Sequence, residues 1–338
     1  MTVSDLSERE LVARISSRLP PAPSWLMVGI GDDAAVVEPA RNRLDVLTVD
    51  SIVEGIHFDR RFVPPDAIGH RALAVNLSDL AAMGAEPRLA LLSFALPPAL
   101  PCGDFDAITS SIVRLASEHH VHVAGGNLTR SPGPLVVDVT VTGTAKRRNI
   151  LTRNGARPGD EVYVTGTLGA AASGLQALAA GYLSASSQTP LEPCIRRYLY
   201  PESRTRCGLL LGRNRAASAC LDLSDGLADG LQRVSEASGV GMLIDAGAVP
   251  IEPGARTWFV KQGLDPVLQA MSGGDDYELL FTVDPRRRGR LAPVTSHGGA
   301  PLTRIGACTA EKELRLRRRL EDGRTVEEPV PGGYGHFR

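Results

Sequence analysis

Aspartates in this chain recur inside short islands flanked by glycine or serine. The islands read Gly31-Asp32-Asp33-Ala34-Ala35, Thr48-Val49-Asp50-Ser51, Asn76-Leu77-Ser78-Asp79-Leu80, Asp222-Leu223-Ser224-Asp225-Gly226-Leu227 and Ser272-Gly273-Gly274-Asp275-Asp276-Tyr277-Glu278. An acid on a solvated helix needs no glycine beside it; one that grips a cation in a tight turn at a strand end often does. Carboxylates brought together repel one another, raise their own pKa values and need a cation to stay ionised. Mg²⁺ and Ca²⁺ select oxygen ligands of this kind. The pattern points to a site that holds several metals and binds phosphate.

The segments around the islands alternate between strand and helix patterns. Ser7 to Glu10 reads as a capping box opening a helix with Leu11, Ile15 and Leu19 on one face. Asp45 to Val49 reads as a strand that delivers Asp50 at its end. Ala67 to Met83 reads as a helix with Asn76 and Asp79 on one face. Leu89 to Ala95 and Leu135 to Thr144 read as strands, Phe105 to Glu118 as a helix, and Val121 to Ala124 as a strand feeding Gly125-Gly126-Asn127. A polar stretch from Arg147 to Asp160, with Gly155, Pro158 and Gly159, marks a domain boundary near residue 150. Beyond it come a strand at Glu161 to Thr165 and a helix at Ala170 to Ala180. Further strands fall at Ala219 to Leu223, Met242 to Asp245 and Leu279 to Val283. Ser184 to Pro190 reads as a loop, and Arg286 to Arg290 as a solvated turn.

At 338 residues two domains are the default. Mixed strands and helices in both halves give the fold class α/β, with α+β mixed sheets, in domains 1–150 and 151–338. The formal charge of −1 gives no bulk attraction to nucleic acid or to anionic membranes, and only 4% aromatics leave few stacking platforms. The most apolar stretch, Leu89 to Leu96, is too short to span a membrane. The five cysteines lack a Cys-x-x-Cys pair, which fits a reducing cytoplasm. Lysine occurs only at 146, 261 and 312, and Gly-Lys-Ser/Thr is missing, so a P-loop kinase is excluded.

Each island also has a plainer reading. Asp32 and Asp33 could be turn residues, Asp79 a hydrogen-bonded helix carboxylate, and Ser224 or Asp225 a helix N-cap. Gly125-Gly126-Asn127 with Arg130 resembles a backbone loop for phosphate. Gly166-Thr-Leu-Gly169 is a weaker version that also suits helix–strand packing. His57 could place a phosphate or fill a core contact. His119-His120-Val-His122 invites a zinc reading but reads better as a helix end, with no cysteine near it.

In order, the islands resemble the thiamine-monophosphate kinases, within the superfamily of aminoimidazole-ribonucleotide synthetase-like ATP-using enzymes. Nine stretches carry the resemblance: residues 29–35, 48–58, 74–85, 125–131, 151–160, 163–169, 222–227, 272–281 and the closing Gly-Tyr-Gly-His-Phe of 333–337. The resemblance implies the two-domain aminoimidazole-ribonucleotide synthetase-like architecture. The N-terminal domain would bind metal and ATP and pair in a homodimer, and the C-terminal domain would complete the ATP and substrate site. It implies ATP-dependent phosphorylation of thiamine monophosphate to thiamine diphosphate with several Mg²⁺ ions, roughly three to five when substrates are bound. Asp32, Asp33, Thr48, Val49 (through its carbonyl), Asp50, Asp79, Asn127, Asp222 and Asp225 would hold metal. Gly126, Asn127, Arg153 and Ser224 would touch ATP, and His57, Asp275 and Tyr334 the thiamine monophosphate. Asp275 and Asp276 together would form the acceptor's wall.

Two departures stand out. The family's Gly-Gly-Asp-Thr is Gly-Gly-Asn127-Leu128 here, one charge short, and Gly335 stands where a charged residue is frequent. The alternatives are another ATP-using enzyme of the superfamily or a non-catalytic divalent-cation-binding protein. A selenophosphate synthetase needs a cysteine earlier than Cys102, and the hydrogenase-maturation relatives need one at the C-terminus; this chain ends His-Phe-Arg.

Overall fold

A computed structural model describes residues 1–182, 190–320 and 322–333. Tyr334, the rest of the closing motif and nearly all of the 184–190 segment lie outside the described residues. The chain forms two compact units. One comprises Met1–Leu80 and Glu86–Arg147, the other Ala81–Ala85 and Arg148–Arg338.

The first unit opens with helix α1 (Glu8–Ser16). Its capping box is formed: the Glu10 amide donates to Ser7 Oγ at 3.3 Å, and the Ser7 amide to Glu10 Oε2 at 2.8 Å. Strands β1 (Leu26–Val28) and β2 (Val36–Val37) make a small antiparallel pair around the first aspartate island. Next come β3 (Leu44–Val53), α2 (Pro65–Ala82), β4 (Glu86–Leu96), α3 (Cys102–Glu118), β5 (His122–Arg130) and β6 (Val136–Ala145). The sheet order is β3-β6-β4-β5, antiparallel except for the β4–β5 pair.

Pro65 and Asp66 start α2 in the way that first-turn proline and acid favour. Nearly every residue of α2 from Ala67 to Leu80 is buried, so this is a core helix. Phe105 of α3 packs edge-on to Phe94 of β4, with ring centroids 5.7 Å apart.

The second unit contains β7 (Glu161–Thr165), α4 (Ala170–Ala179), α5 (Glu192–Leu199), α6 (Thr205–Asn214), β8 (Ala219–Asp222), α7 (Leu227–Ser238) and β9 (Gly241–Asp245). It continues with α8 (Pro253–Lys261), α9 (Pro266–Ser272), β10 (Leu279–Val283), α10 (Ala292–His297), β11 (Leu302–Thr309), β12 (Leu314–Arg319) and β13 (Thr325–Pro329). Among the described residues its sheet runs β13-β12-β9-β11-β7-β10-β8, with β12–β9 the parallel pair. Tyr163 stacks on Phe281 at 5.5 Å within a core that includes Cys207, Leu211, Cys220, Leu279 and Val283. All five cysteines are buried and free of disulfides. Both units mix strands and helices, as the sequence pattern indicates.

Three local expectations need correction. Asp50 does not end its strand: β3 runs on to Val53, and Asp50 pairs with Val139. The apolar alternation resumes at Ile52, and a carboxylate is tolerated in mid-strand because β3 is a sheet edge. Gly125-Gly126-Asn127 is not a loop after a strand but part of β5 itself. A Cβ on Gly126 would stand 1.8 Å from the Leu92 carbonyl oxygen, so close strand packing alone requires that glycine. Finally, Arg286 to Arg290 lies in a short 3₁₀ helix, Pro285–Leu291, and Arg288 reaches back to the buried Glu161.

Candidate active site

The first unit supplies one group of candidate side chains. Thr48 faces α2, and its hydroxyl donates a short hydrogen bond to Asp79 Oδ2. The helix carboxylate is thus held by a side chain of β3, not by a backbone amide. Asp50 lies two residues further along the same strand, half-buried. As an edge strand, β3 leaves half of its carbonyls outside the ladder, the kind of donor that Val49 would use. The Val49 side chain itself is 59% exposed.

Asp32 and Asp33 are exposed in the turn after β1, and the Asp33 amide donates to Asp32 Oδ1 at 2.9 Å. Asn127 pairs in register with Ser93 of β4, which faces Asp138 of β6, which in turn faces Ser51 of β3. Asp138 accepts a hydrogen bond from Ser51. This carboxylate escaped the motif reading because it sits alone in an alternating strand. His57 accepts from the Val53 amide through Nδ1 at 3.1 Å, which leaves the ring proton on Nε2 in the neutral form.

The second unit brings two aspartate islands together. Asp222 is the last residue of β8 and pairs with Leu279 of β10. The Asp275 amide donates to the Ser224 carbonyl at 2.7 Å, the Tyr277 amide to Leu223 at 3.0 Å, and the Leu223 amide to Glu278 at 2.7 Å. Residues 222–225 and 275–278 therefore run side by side. Neither Ser224 nor Asp225 caps α7; the N-cap is Gly226, with φ +95°. A Cβ there would stand 2.6 Å from the Gly273 carbonyl oxygen, so glycine at 226 is a packing requirement of this pair of segments. Asp225 is paired with Arg233 at 3.1 Å, and Tyr277 Oη donates to Asp275 Oδ1 at 3.0 Å. Arg153 is exposed in the segment before β7, its carbonyl accepting from Ser238 Oγ at 3.0 Å.

Asp276 corrects a further expectation, because it is no part of an open wall. It is 1% exposed, and its carboxylate accepts the amides of Gly169 at 2.6 Å and Ala171 at 3.0 Å, at the start of α4. Burial pushes its pKa up to about 7, against those two amides and the charge of Arg197; the charge of Glu278 adds to the rise. Glu278 is fully buried and bound by Arg204 through Nε at 2.6 Å and Nη2 at 2.5 Å, by Arg197 Nη1 at 2.5 Å, and by the Thr165 hydroxyl at 2.5 Å. Burial works to raise its pKa, but the two arginines outweigh it and hold the carboxyl below its usual value. Arg197 lies in α5 and Arg204 just before α6, neither within a motif, so no sequence signal marked them.

The donor set fits Mg²⁺. It is all oxygen, and among the described residues no three His, Cys, Asp or Glu side chains form a ready-made cage. Mg²⁺ at phosphate sites typically takes one or two carboxylates and leaves its other positions to water and phosphate. The Thr48–Asp79 pair and the Asp222–Asp225 turn offer that number. Among the described residues, Asp32, Asp33 and Asn127 make no side-chain hydrogen bond to the Thr48–Asp79 pair, nor does Arg153 to the Asp222–Asp225 turn. The three neighbouring histidines form no metal cluster there either: His119 caps α3, and His122 is buried in β5.

Residues 31–145 match the AIR synthase related protein N-terminal domain, and residues 157–319 the corresponding C-terminal domain. The thiamine-monophosphate kinase of Salmonella typhimurium is 38% identical over 331 residues, covering 98% of both chains. The crystal structure of thiamine-monophosphate kinase from Stenotrophomonas maltophilia K279a superposes with a TM-score of 0.82 at 36% identity, covering 95% of this chain and 98% of that one. The structure of AaThiL complexed with AMPPCP and TMP gives a TM-score of 0.76 at 30% identity, covering 100% and 99%.

The chain belongs to the thiamine-monophosphate kinase family. It is accordingly an enzyme with the two-domain AIR synthase-related fold. Among the described residues no helix is long and apolar enough to cross a membrane.

Proposed function

We propose that the chain transfers the γ-phosphoryl group of ATP directly to the phosphate of thiamine monophosphate, giving thiamine diphosphate. The observation that supports this reading is the pairing of residues 222–225 with 275–278, which sets the Ser224-Asp225 turn beside Asp275. The name shared by the relatives along nearly the full length supports it.

Both substrates are anions, so their approach is electrostatically unfavourable. The acceptor phosphate is already a nucleophile near neutral pH, and no general base is required. Catalysis is then positioning and charge neutralisation. Asp32, Asp33, Thr48, Val49, Asp50, Asp79, Asn127, Asp222 and Asp225 would hold the Mg²⁺ ions. When bound, Mg²⁺ supplies the positive charge that a P-loop lysine supplies elsewhere. Gly126, Asn127, Arg153 and Ser224 bind the nucleotide; His57 and Asp275 orient the acceptor, with Tyr334 completing its site. His57 accepts the Val53 amide through Nδ1, so in its neutral form the ring proton sits on Nε2, the atom that would face a phosphate oxygen in this reading. A second copy of the chain pairs through the first unit, a reading supported by Leu47 and Val49, 69% and 59% exposed on the edge strand β3.

Incubation with γ-labelled ATP and Mg²⁺ alone should leave the protein unlabelled, and adding thiamine monophosphate should give labelled thiamine diphosphate. Label on the protein would contradict direct transfer.

A further inference from the structure

Asp275 and Tyr277 both have left-handed backbones, with φ of +67° and +50°. Such geometry is tolerable for an aspartate but costly for a tyrosine, and it persists only where the surroundings over-determine it. The surroundings here act on alternate residues. The amides of Asp275 and Tyr277 are clamped to Ser224 and Leu223. The side chains of Asp276 and Glu278 are buried on the opposite side, one on the start of α4 and the other on Arg197, Arg204 and Thr165. Thr165 Oγ1 also accepts the Leu279 amide at 2.8 Å, which ties the base of the turn to β7. Asp275 is thereby the one carboxylate of the Asp-Asp-Tyr-Glu run that is not buried.

We propose that Asp276 and Glu278 are positioning residues: by anchoring the strained turn to α4 and to the Arg197–Arg204 pair, they fix Asp275 for the acceptor. This rests on the reading of Asp275 as an acceptor-binding residue. A buried, fully hydrogen-bonded pair of carboxylates is a rigid support, and losing part of it lets Asp275 relax towards an ordinary backbone conformation. Asp276 and Glu278 contact no side chain read as nucleotide-binding, so acceptor and nucleotide should respond differently.

The test compares Asp276→Asn, Arg197→Gln and Asp275→Asn, with Leu211→Ala as a core control, in steady-state assays against thiamine monophosphate and ATP. Arg197→Gln leaves Glu278 paired with Arg204, so it reads the support even if Asp276→Asn folds poorly. Asp276→Asn and Arg197→Gln should each raise KM for thiamine monophosphate roughly tenfold, the scale of a sub-ångström misplacement, with KM for ATP unchanged. Leu211→Ala should lower thermal stability and leave both KM values alone. If Asp275→Asn raises the acceptor KM while folded Asp276→Asn and Arg197→Gln do not, the positioning role is overturned. If Asp275→Asn itself leaves the acceptor KM unchanged, the reading of Asp275 fails, and the positioning role with it.

Discussion

The Asp275 amide donates to the Ser224 carbonyl at 2.7 Å, so a residue assigned to the acceptor and one assigned to the nucleotide are tied through their backbones. This tie does not involve the Asp225 side chain. Asp225→Ala should remove a metal ligand without disturbing the segment. Arg233 keeps its partner Asp229, and a partly exposed pair contributes little, so stability should change by no more than about 1 kcal/mol. Turnover should fall by roughly 100-fold or more. Urea denaturation and initial rates check both; full activity would remove Asp225 from the metal set.

Thr48 holds Asp79 by a hydrogen bond from β3 to α2. Thr48→Val keeps the shape and deletes the donor. The expected cost in stability is about 1 kcal/mol. The Mg²⁺ concentration for half-maximal rate should rise, because Asp79 is no longer pre-oriented. An unchanged Mg²⁺ titration would show that Thr48 serves the fold alone.

Asn127 offers an oxygen but no charge in a site proposed to hold Mg²⁺. Asn127→Asp should lower the Mg²⁺ concentration for half-maximal rate, since a carboxylate adds charge to the same position. A higher requirement would mean that Asn127 meets the nucleotide, not the metal.

The pKa of Asp276 is raised on folding from 3.8 to about 7. Between those values the folded state binds more protons than the unfolded state. The group's contribution to stability is therefore complete below its unfolded pKa and is lost as pH rises through about 7. Asp276→Asn removes this titration. Denaturation of both proteins at about pH 5 and about pH 8 should show the native chain losing ground to the variant at the higher pH, by at most a few kcal/mol at roughly 1.4 kcal/mol per unit. A difference independent of pH would contradict the raised value.

The strands and helices that carry the islands were legible in the sequence, because alternation and helical stripes mark them plainly. β7 and β10 occur at the residues the pattern indicates. The extent of β3 and β5 was not legible. A charge in a strand and a glycine pair both read as ends, yet an edge strand tolerates the first and close packing on Leu92 demands the second. Asp275 and Asp276 look alike in sequence and differ in burial, a difference set by the start of α4, far away in the chain. Arg197 and Arg204 carry no local pattern, since their partner Glu278 lies 81 and 74 residues distant.

The central claim is that this site phosphorylates a phosphate and not an alcohol. Purified protein with ATP and Mg²⁺ should be offered thiamine monophosphate and, separately, free thiamine, with the products resolved by chromatography. The account predicts thiamine diphosphate, formed with matching ATP consumption, from the monophosphate, and no product from thiamine. Turnover of thiamine without turnover of the monophosphate would contradict it.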